Sequence, residues 1–251
     1  MKLEVNGPMK LFAIETPFGD IVITQTAITI LAVTLILTIA AVIISKNLKK
    51  RPGRFQVIVE KLVSMLYGLV EDTMGKHNLK FAPYIGTLFL SSILGTLIGM
   101  TQIFRSATAD LSVTLAWSIV TSLMVWYCNI KNFGFLAWLK GFTEPIVVMT
   151  PMNIVSEIAQ PVSMAFRLFG NVAGGGVLTS LIYAALASLS TMVFGAISDL
   201  LGSIPFFQVG IPAVLSIYFD LFSGFVQAFV FALLTMVYVG AANPPPEESG
   251  K

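Results

Sequence analysis

The chain has 251 residues, 56% of them hydrophobic and only 11% charged, with a formal net charge of +2. That balance excludes a soluble globular domain and says nothing for nucleic acid, and several apolar runs approach or exceed the roughly 20 residues that cross a bilayer. The period-2 alternation of a transmembrane barrel is absent, so the expected fold is all-α and polytopic in a membrane.

The first twenty residues, MKLEVNGPMKLFAIETPFGD, are mixed in charge and read as an outer N-terminal tail, unlike a cleavable leader. Residues 21–45 make an uncharged first span rich in β-branched side chains. It ends in KNLKKRPGR, where Lys46, Lys49, Lys50, Arg51 and Arg54 assign the loop to the cytoplasm by the positive-inside rule. Residues 55–76 carry apolar side chains at helical period with charges at 60, 61, 71 and 72, the pattern of an amphipathic interfacial helix. His77 follows in a polar connection, where a solvated role is expected. Residues 81–104 form the second span, with Gly95 and Gly99 spaced for close helix packing.

A short outer loop at 105–112 leads to the third span, 112–130, which returns the chain to the cytoplasm at Lys131 and Lys140. Both basic loops then fall on one side. Prolines 145 and 151 precede a fourth helix over about 152–190, with a bend expected at Pro161. An outer connection around 195–206 leads to a last helix over about 208–241, stopped by NPPPEESGK. The reading is one integral-membrane domain over 1–251, with about five crossing helices and one interfacial helix. Residues 1–20 lie outside and 243–251 form a cytoplasmic tail. The last two helices exceed a perpendicular crossing and form a tilted hairpin.

The fourth helix carries the chemistry. With Arg167 as zero on a helical wheel, Asn153, Ser156, Gln160, Ser163 and Asn171 fall within about 40° of it, and Glu157 lies on the same cytoplasmic half of the helix. Gly170 and Gly174 lie on or beside this seam and open it to close approach; Gly175 and Gly176 continue the small-residue run. An unpaired intramembrane Arg costs about 2.5–3.5 kcal/mol or more, so a functional role is the default reading. Around Asp220 the last helix repeats the pattern: Ser216, Ser223, Gly224, Gln227 and Tyr238 lie within about 60°. Gly174–Gly176 have no preceding strand and no following GK[ST], so they make no phosphate loop. The tryptophans, including Trp126, are accounted for by interfacial and packing roles. The lone Cys128 excludes an internal disulfide and a cysteine-based metal site; no metal, cofactor or catalytic site is expected. The seams alone leave three readings: a rotary stator, a self-contained transporter or channel, and a non-conducting scaffold.

At RLFGN (167–171), preceded by PVSMAF (161–166) and followed by QAFVFALLTMVY (227–238), the chain closely resembles the a subunit of bacterial-type F-type ATP synthases. ADLSVTLA at 109–116 and PMNIVSEIAQP at 151–161 match in kind and order, so the resemblance covers nearly the whole chain. It implies a non-catalytic stator subunit in a bacterial plasma membrane, its two long tilted helices packed against a rotating ring of c subunits. Implied partners are that ring, the peripheral-stalk b subunits and, through the stalk, the catalytic sector. The cargo is H+ or Na+.

The resemblance also implies roles. Arg167 would face the ion-binding carboxylate of each passing c subunit. Asn171, Gln227 and Tyr238 match positions around that arginine and the ring interface. Asn153, Ser156, Glu157 and Gln160 match the cytoplasmic half-channel, and Asp220 and Asp110 the outer one. Gly170, Gly174, Gly175 and Gly176 are expected to face the rotor. Two departures stand out: Gly176 occupies a position where many relatives have an acid, and Asp220 one where many have histidine.

Overall fold

The first apolar run does not start as a helix. In the computed structural model, which describes residues 10–14, 21–100, 106–144, 146–195 and 217–245, Ile21–Thr24 is a strand paired antiparallel with Lys10–Ile14. The expected span 21–45 therefore loses its first four residues, and the expected tail gains a strand. Ile21, Val22, Ile23 and Thr24 are all β-branched, stiff at χ1 and suited to extended backbone. Thr24 then caps helix α1 (Gln25–Lys46), its hydroxyl accepting from the Ala27 N–H at 3.4 Å. Only the first turns of α1 are buried, at Thr26, Thr29 and Val33. Leu31, Leu35, Ile36, Ile39, Val42 and Ile43 are exposed, an outward apolar face suited to lipid.

Helix α2 (Arg54–Met74) is amphipathic as expected. Its start is tied to the basic loop, where the Gln56 amide accepts from Lys49 N and donates to Lys49 O, both at 3.0 Å. Phe55, Ile58, Leu62 and Met65 are exposed, whereas Val70 and Met74 enter the core. Gly75, at φ 82°, turns the chain into a 3-10 turn, Lys76–Phe81, that leads directly into α3 (Ala82–Met100).

Residues 106–109, ahead of the next helix, are no solvated loop. Ser106, Ala107 and Thr108 are buried, forming with Ala109 a 3-10 turn against α3. Thr108 Oγ1 lies 2.9 Å from both Thr96 Oγ1 and Ser106 Oγ; Thr96 also donates to Ser92 O at 2.9 Å and Ser106 to Gly95 O at 3.1 Å. The expected close approach at Gly95 and Gly99 is real, but its partner is this turn. A Cβ at Gly99 would stand 2.5 Å from Ser106 Cβ and 2.9 Å from its Cα, and one at Gly95 would stand 3.1 Å from Ala107 Cβ.

Helix α4 (Leu111–Phe133) matches the third expected span and stops at Gly134, φ 85°. A short helix not foreseen in the sequence, α5 (Phe135–Gly141), follows. Helix α6 (Thr150–Gly195) has 46 residues and continues through Pro161; Pro151 occupies its first turn, where proline is tolerated. At 1.5 Å per residue it is about 69 Å long. That is over twice a hydrocarbon core of about 30 Å, so α6 cannot stand upright within one.

The last helix is not α-helical throughout. Ile217–Ser223 is a π turn that leads into helix α7 (Gly224–Ala242); the expected hairpin connection at 195–206, apart from residue 195, and helix start at 208–216 lie outside the described residues. The α-helical wheel drawn through Asp220 thus used the wrong period at Asp220 itself. Helix α7 is the centre of the bundle: Ala228, Phe231, Ala232, Met236, Val239 and Ala242 are buried against α2, α3 and α4. Phe89 of α3 meets Phe225 and Phe229 edge-on at 5.9 and 6.3 Å. Among the described residues, five helical segments are long and apolar enough to cross a membrane, as expected.

At the end of the bundle that holds Lys131 and Lys140, α7 is clasped. Asn132 donates to Ala242 O at 3.0 Å and to Asn243 Oδ1 at 2.6 Å. Asn78 donates to Asn243 O at 3.0 Å, accepts from the Asn243 amide, and His77 Nε2 lies 2.7 Å from Asn243 O. His77 is therefore half-buried and bonded rather than solvated.

Candidate functional site

Helix α6 buries one stripe and exposes another. Met164, Ala165 and Leu168 are buried and join the bundle, which turns Ser163, Phe166, Arg167, Gly170 and Gly174 outward. Arg167 makes no hydrogen bond or ion pair among the described residues. Nothing lies within 4 Å of a Cβ built at Gly170, Gly174 or Gly176; Gly175 is buried. A permanent cation thus sits on a face swept clear by glycines, in a helix otherwise apolar enough to lie in lipid. The wheel placed Asn153, Ser156, Gln160, Arg167 and Asn171 on one seam, and the structure divides it. Ser156 and Arg167 are exposed, while Asn153, Gln160 and Asn171 lie half-buried at its edge.

Three of the expected residues meet at a cleft of about 560 Å³, where α4, α5 and the first turns of α6 diverge. Asn153, Ser156 and Glu157 line it, with Asn129, Trp138 and Glu144 opposite. Asn153 donates to the Phe142 and Glu144 carbonyls at 2.9 and 3.2 Å, fixing the α5–α6 connection over the cleft. Glu144 pairs with Lys140 at 3.9 Å in an exposed contact. Glu157 accepts a hydrogen bond from the Trp126 indole of α4. Gln160, one turn further along α6, does not line the cleft.

Further along α6, Asn171 reaches α7. Its amide nitrogen donates to Ser223 O at 3.2 Å and to Ser223 Oγ at 2.7 Å, and Ser223 Oγ lies 2.9 Å from Asn171 Oδ1 as donor. The bonds join the helix one turn past Arg167 to the last residue of the π turn that carries Asp220. Asp220 is placed on that turn by its backbone; its side chain lies outside the described atoms. Such turns concentrate at functional sites. Gln227, one turn beyond Ser223, has a buried Oε1 with no hydrogen-bond partner among the described residues, an arrangement rare enough to ask for a reason. Tyr238 packs at the edge of the core near the clasped end. Asp110 caps α4, accepting from Ser112 N at 3.0 Å.

The structure therefore gathers Asn153, Ser156 and Glu157 at one cleft and joins Asn171 to the Asp220 turn. Among the described residues, no hydrogen bond or ion pair links Asp110 or Tyr238 to Arg167. Sequence reasoning missed Trp126 and Ser223 as bonding partners. The spacing of Trp126, Asn129 and Phe133, at i, i+3 and i+7, marks one face of α4, but only the rotation of α4 against α6 turns that face to Glu157.

Comparison with known proteins gives the family of the chain. The family described as ATP synthase A chain matches residues 26–240. The sodium-ion-specific ATP synthase subunit a of Propionigenium modestum is 34% identical over 78% of this chain, which spans 65% of that relative's length. ATP synthase subunit a 1 of Crocosphaera subtropica is 34% identical over 83% of this chain and 82% of its own. The ATP synthase subunit a of Desulforamulus reducens is 32% identical over 78% and 70%. Profile and relatives agree over nearly the full run of crossing helices, and the chain belongs to the family of multi-pass a subunits of the F-type ATP synthase membrane sector.

Proposed function

We propose that this chain is the ion-translocating stator subunit of a bacterial rotary ATP synthase, and that Arg167 faces the ion-binding carboxylate of each c subunit as the ring turns. The observation that carries this reading is the uncovered position of Arg167, beside glycines with open space around them. A cation on a lipid-facing surface is expensive unless a partner meets it. This chain supplies none among its described residues, and a partner from another chain would meet it there. A carboxylate on a helix that approaches closely along Gly170 and Gly174 fits both the charge and the shape.

Arg167 cannot lose its proton, so it favours the ionised carboxylate and displaces the bound ion. It also blocks direct passage between two offset half-channels. The cleft lined by Asn153, Ser156 and Glu157, with Gln160 one turn beyond it, supports a cytoplasmic half-channel. Asp220 and Asp110 are assigned to the outer half-channel, and Asn171, Gln227 and Tyr238 to the surroundings of Arg167 and the ring interface. An ion enters by one half-channel, rides the ring, and leaves by the other, driven by about 2.3 kcal/mol per charge per 100 mV. The N-terminus then lies outside and the C-terminus in the cytoplasm. The c ring, the b subunits and, through the stalk, the catalytic sector are the partners. The sodium-ion-specific relative keeps Na+ beside H+ as the cargo.

The test is ATP-driven ion uptake by the reconstituted complex carrying Arg167→Ala or Arg167→Lys. Both variants are expected to assemble and to lose coupled transport. Coupled uptake at the normal rate in Arg167→Ala overturns the reading.

A further inference from the structure

The cleft between α4 and α6 contains a carboxylate held by a neutral donor. Trp126 Nε1 donates to Glu157 Oε1 from the facing helix. Glu157 lines the cleft and Trp126 does not, so the indole grips the carboxylate from its packed side. Indole is a donor only and carries no charge. It can therefore fix the orientation of Glu157 without cancelling its negative charge, as a Lys or Arg would. Two other polar side chains of the cleft are engaged differently. Glu144 pairs with Lys140, and the Asn153 amide is occupied by the Phe142 and Glu144 carbonyls. Among the described residues Glu157 is the lining carboxylate with no cationic partner.

We propose that Trp126 is a positioning residue for ion translocation: it holds one oxygen of Glu157 so that the other faces the cleft as the group that accepts the incoming cation. The inference rests on the pathway reading above. An indole serving packing alone needs only some acceptor for its N–H, and a helix carbonyl would suffice. Bonding to the sole unpaired carboxylate of the cleft ties the tryptophan to the charge that a cation meets first. A flexible Glu at the same position would spread its charge over several rotamers and bind a passing cation less well.

The experiment uses the intact complex in inverted vesicles, measuring ATP-driven uptake of Na+ and of H+ separately against ion concentration on the ATP side. Trp126→Phe keeps the aromatic ring and removes the N–H; Glu157→Asp keeps the charge and shortens its reach; Glu157→Gln removes the charge. Trp126→Phe and Glu157→Asp are each expected to raise the ion concentration for half-maximal uptake by about tenfold, with the maximal rate retained. Adding Trp126→Phe to Glu157→Gln is expected to change nothing further, because the carboxylate it positions is gone. Wild-type ion dependence in Trp126→Phe, or multiplying effects in the double variant, overturns the proposal. If Trp126→Phe does not assemble, Glu157→Asp carries the test, and its wild-type behaviour is equally fatal. Arg167→Ala is run alongside: loss of uptake there with a normal Trp126→Phe sinks this inference alone, while normal uptake in Arg167→Ala sinks the pathway reading itself.

Discussion

Two regions of α6 use the same kinds of residue to opposite ends. In its first turns, polar side chains find partners within the chain: Asn153 on two carbonyls, Glu157 on Trp126. About three to five turns past Glu157, Arg167, Gly170 and Gly174 face outward, the arginine with no partner among the described residues. The first region is built to hold a shape. In the proposed function the second is complete only when another surface slides past it, and a fixed partner there would stop the motion. The difference separates the proposed passage through the chain from the proposed contact between chains.

Glycine substitutions are the sharpest way to break that comparison, because the same residue type is predicted to fail for different reasons in different places. Gly170→Leu and Gly174→Leu add bulk to the open face, where this chain leaves room. Coupled ATP synthesis is expected to fall to near background while the thermal melting point of the purified complex stays put. A matching fall in melting point would mean that these glycines pack inside the subunit. Gly224→Val is expected to do the reverse. A Cβ there meets Thr96 Cγ2 at 2.7 Å, and overpacking costs about 1–3 kcal/mol, so the melting point should drop with activity following assembly.

Asn243→Ala tests the clasp that fixes the end of α7. It removes one of two acceptors of the Asn132 amide and the donor to buried Asn78 Oδ1, and an unsatisfied polar group of this kind costs about 1–3 kcal/mol. Faster amide exchange over the last turns of α7 is the expected readout. Ser223→Ala is the mildest change. It removes the hydroxyl that meets Asn171 but leaves the bond to the Ser223 carbonyl, so about 1 kcal/mol of stability is at stake. Ser223→Thr, which restores a hydroxyl, should recover it. An unchanged melting point in both would show that the π turn stands without the Asn171 staple.

The crossing helices were legible because each is a long apolar run, and length against bilayer thickness needs no tertiary information. Arg167 was legible for the same reason, as a charge where charge is costly. What escaped depends on neighbours. Ile21–Thr24 reads as the start of a span until strand preference and the Thr24 cap are weighed together. The 106–109 turn reads as a loop because its hydroxyls are polar, yet they satisfy one another in the interior. The π turn at Ile217–Ser223 shifts the helical period just where Asp220 sits, and no residue pattern announces it. Asn171 was singled out without its partner Ser223, and Glu157 without Trp126, since pairing across helices is fixed by rotation and not by spacing.

The central claim is that a second protein moves along the face around Arg167. A photoreactive benzophenone on Gly174→Cys in the intact complex tests it directly, since the native Cys128 is buried and the label goes to the introduced thiol. Irradiation is expected to join this subunit to the c subunit and to stop ATP hydrolysis in the joined complexes. Adducts confined to lipid or to this subunit itself, with hydrolysis running on, would contradict the account.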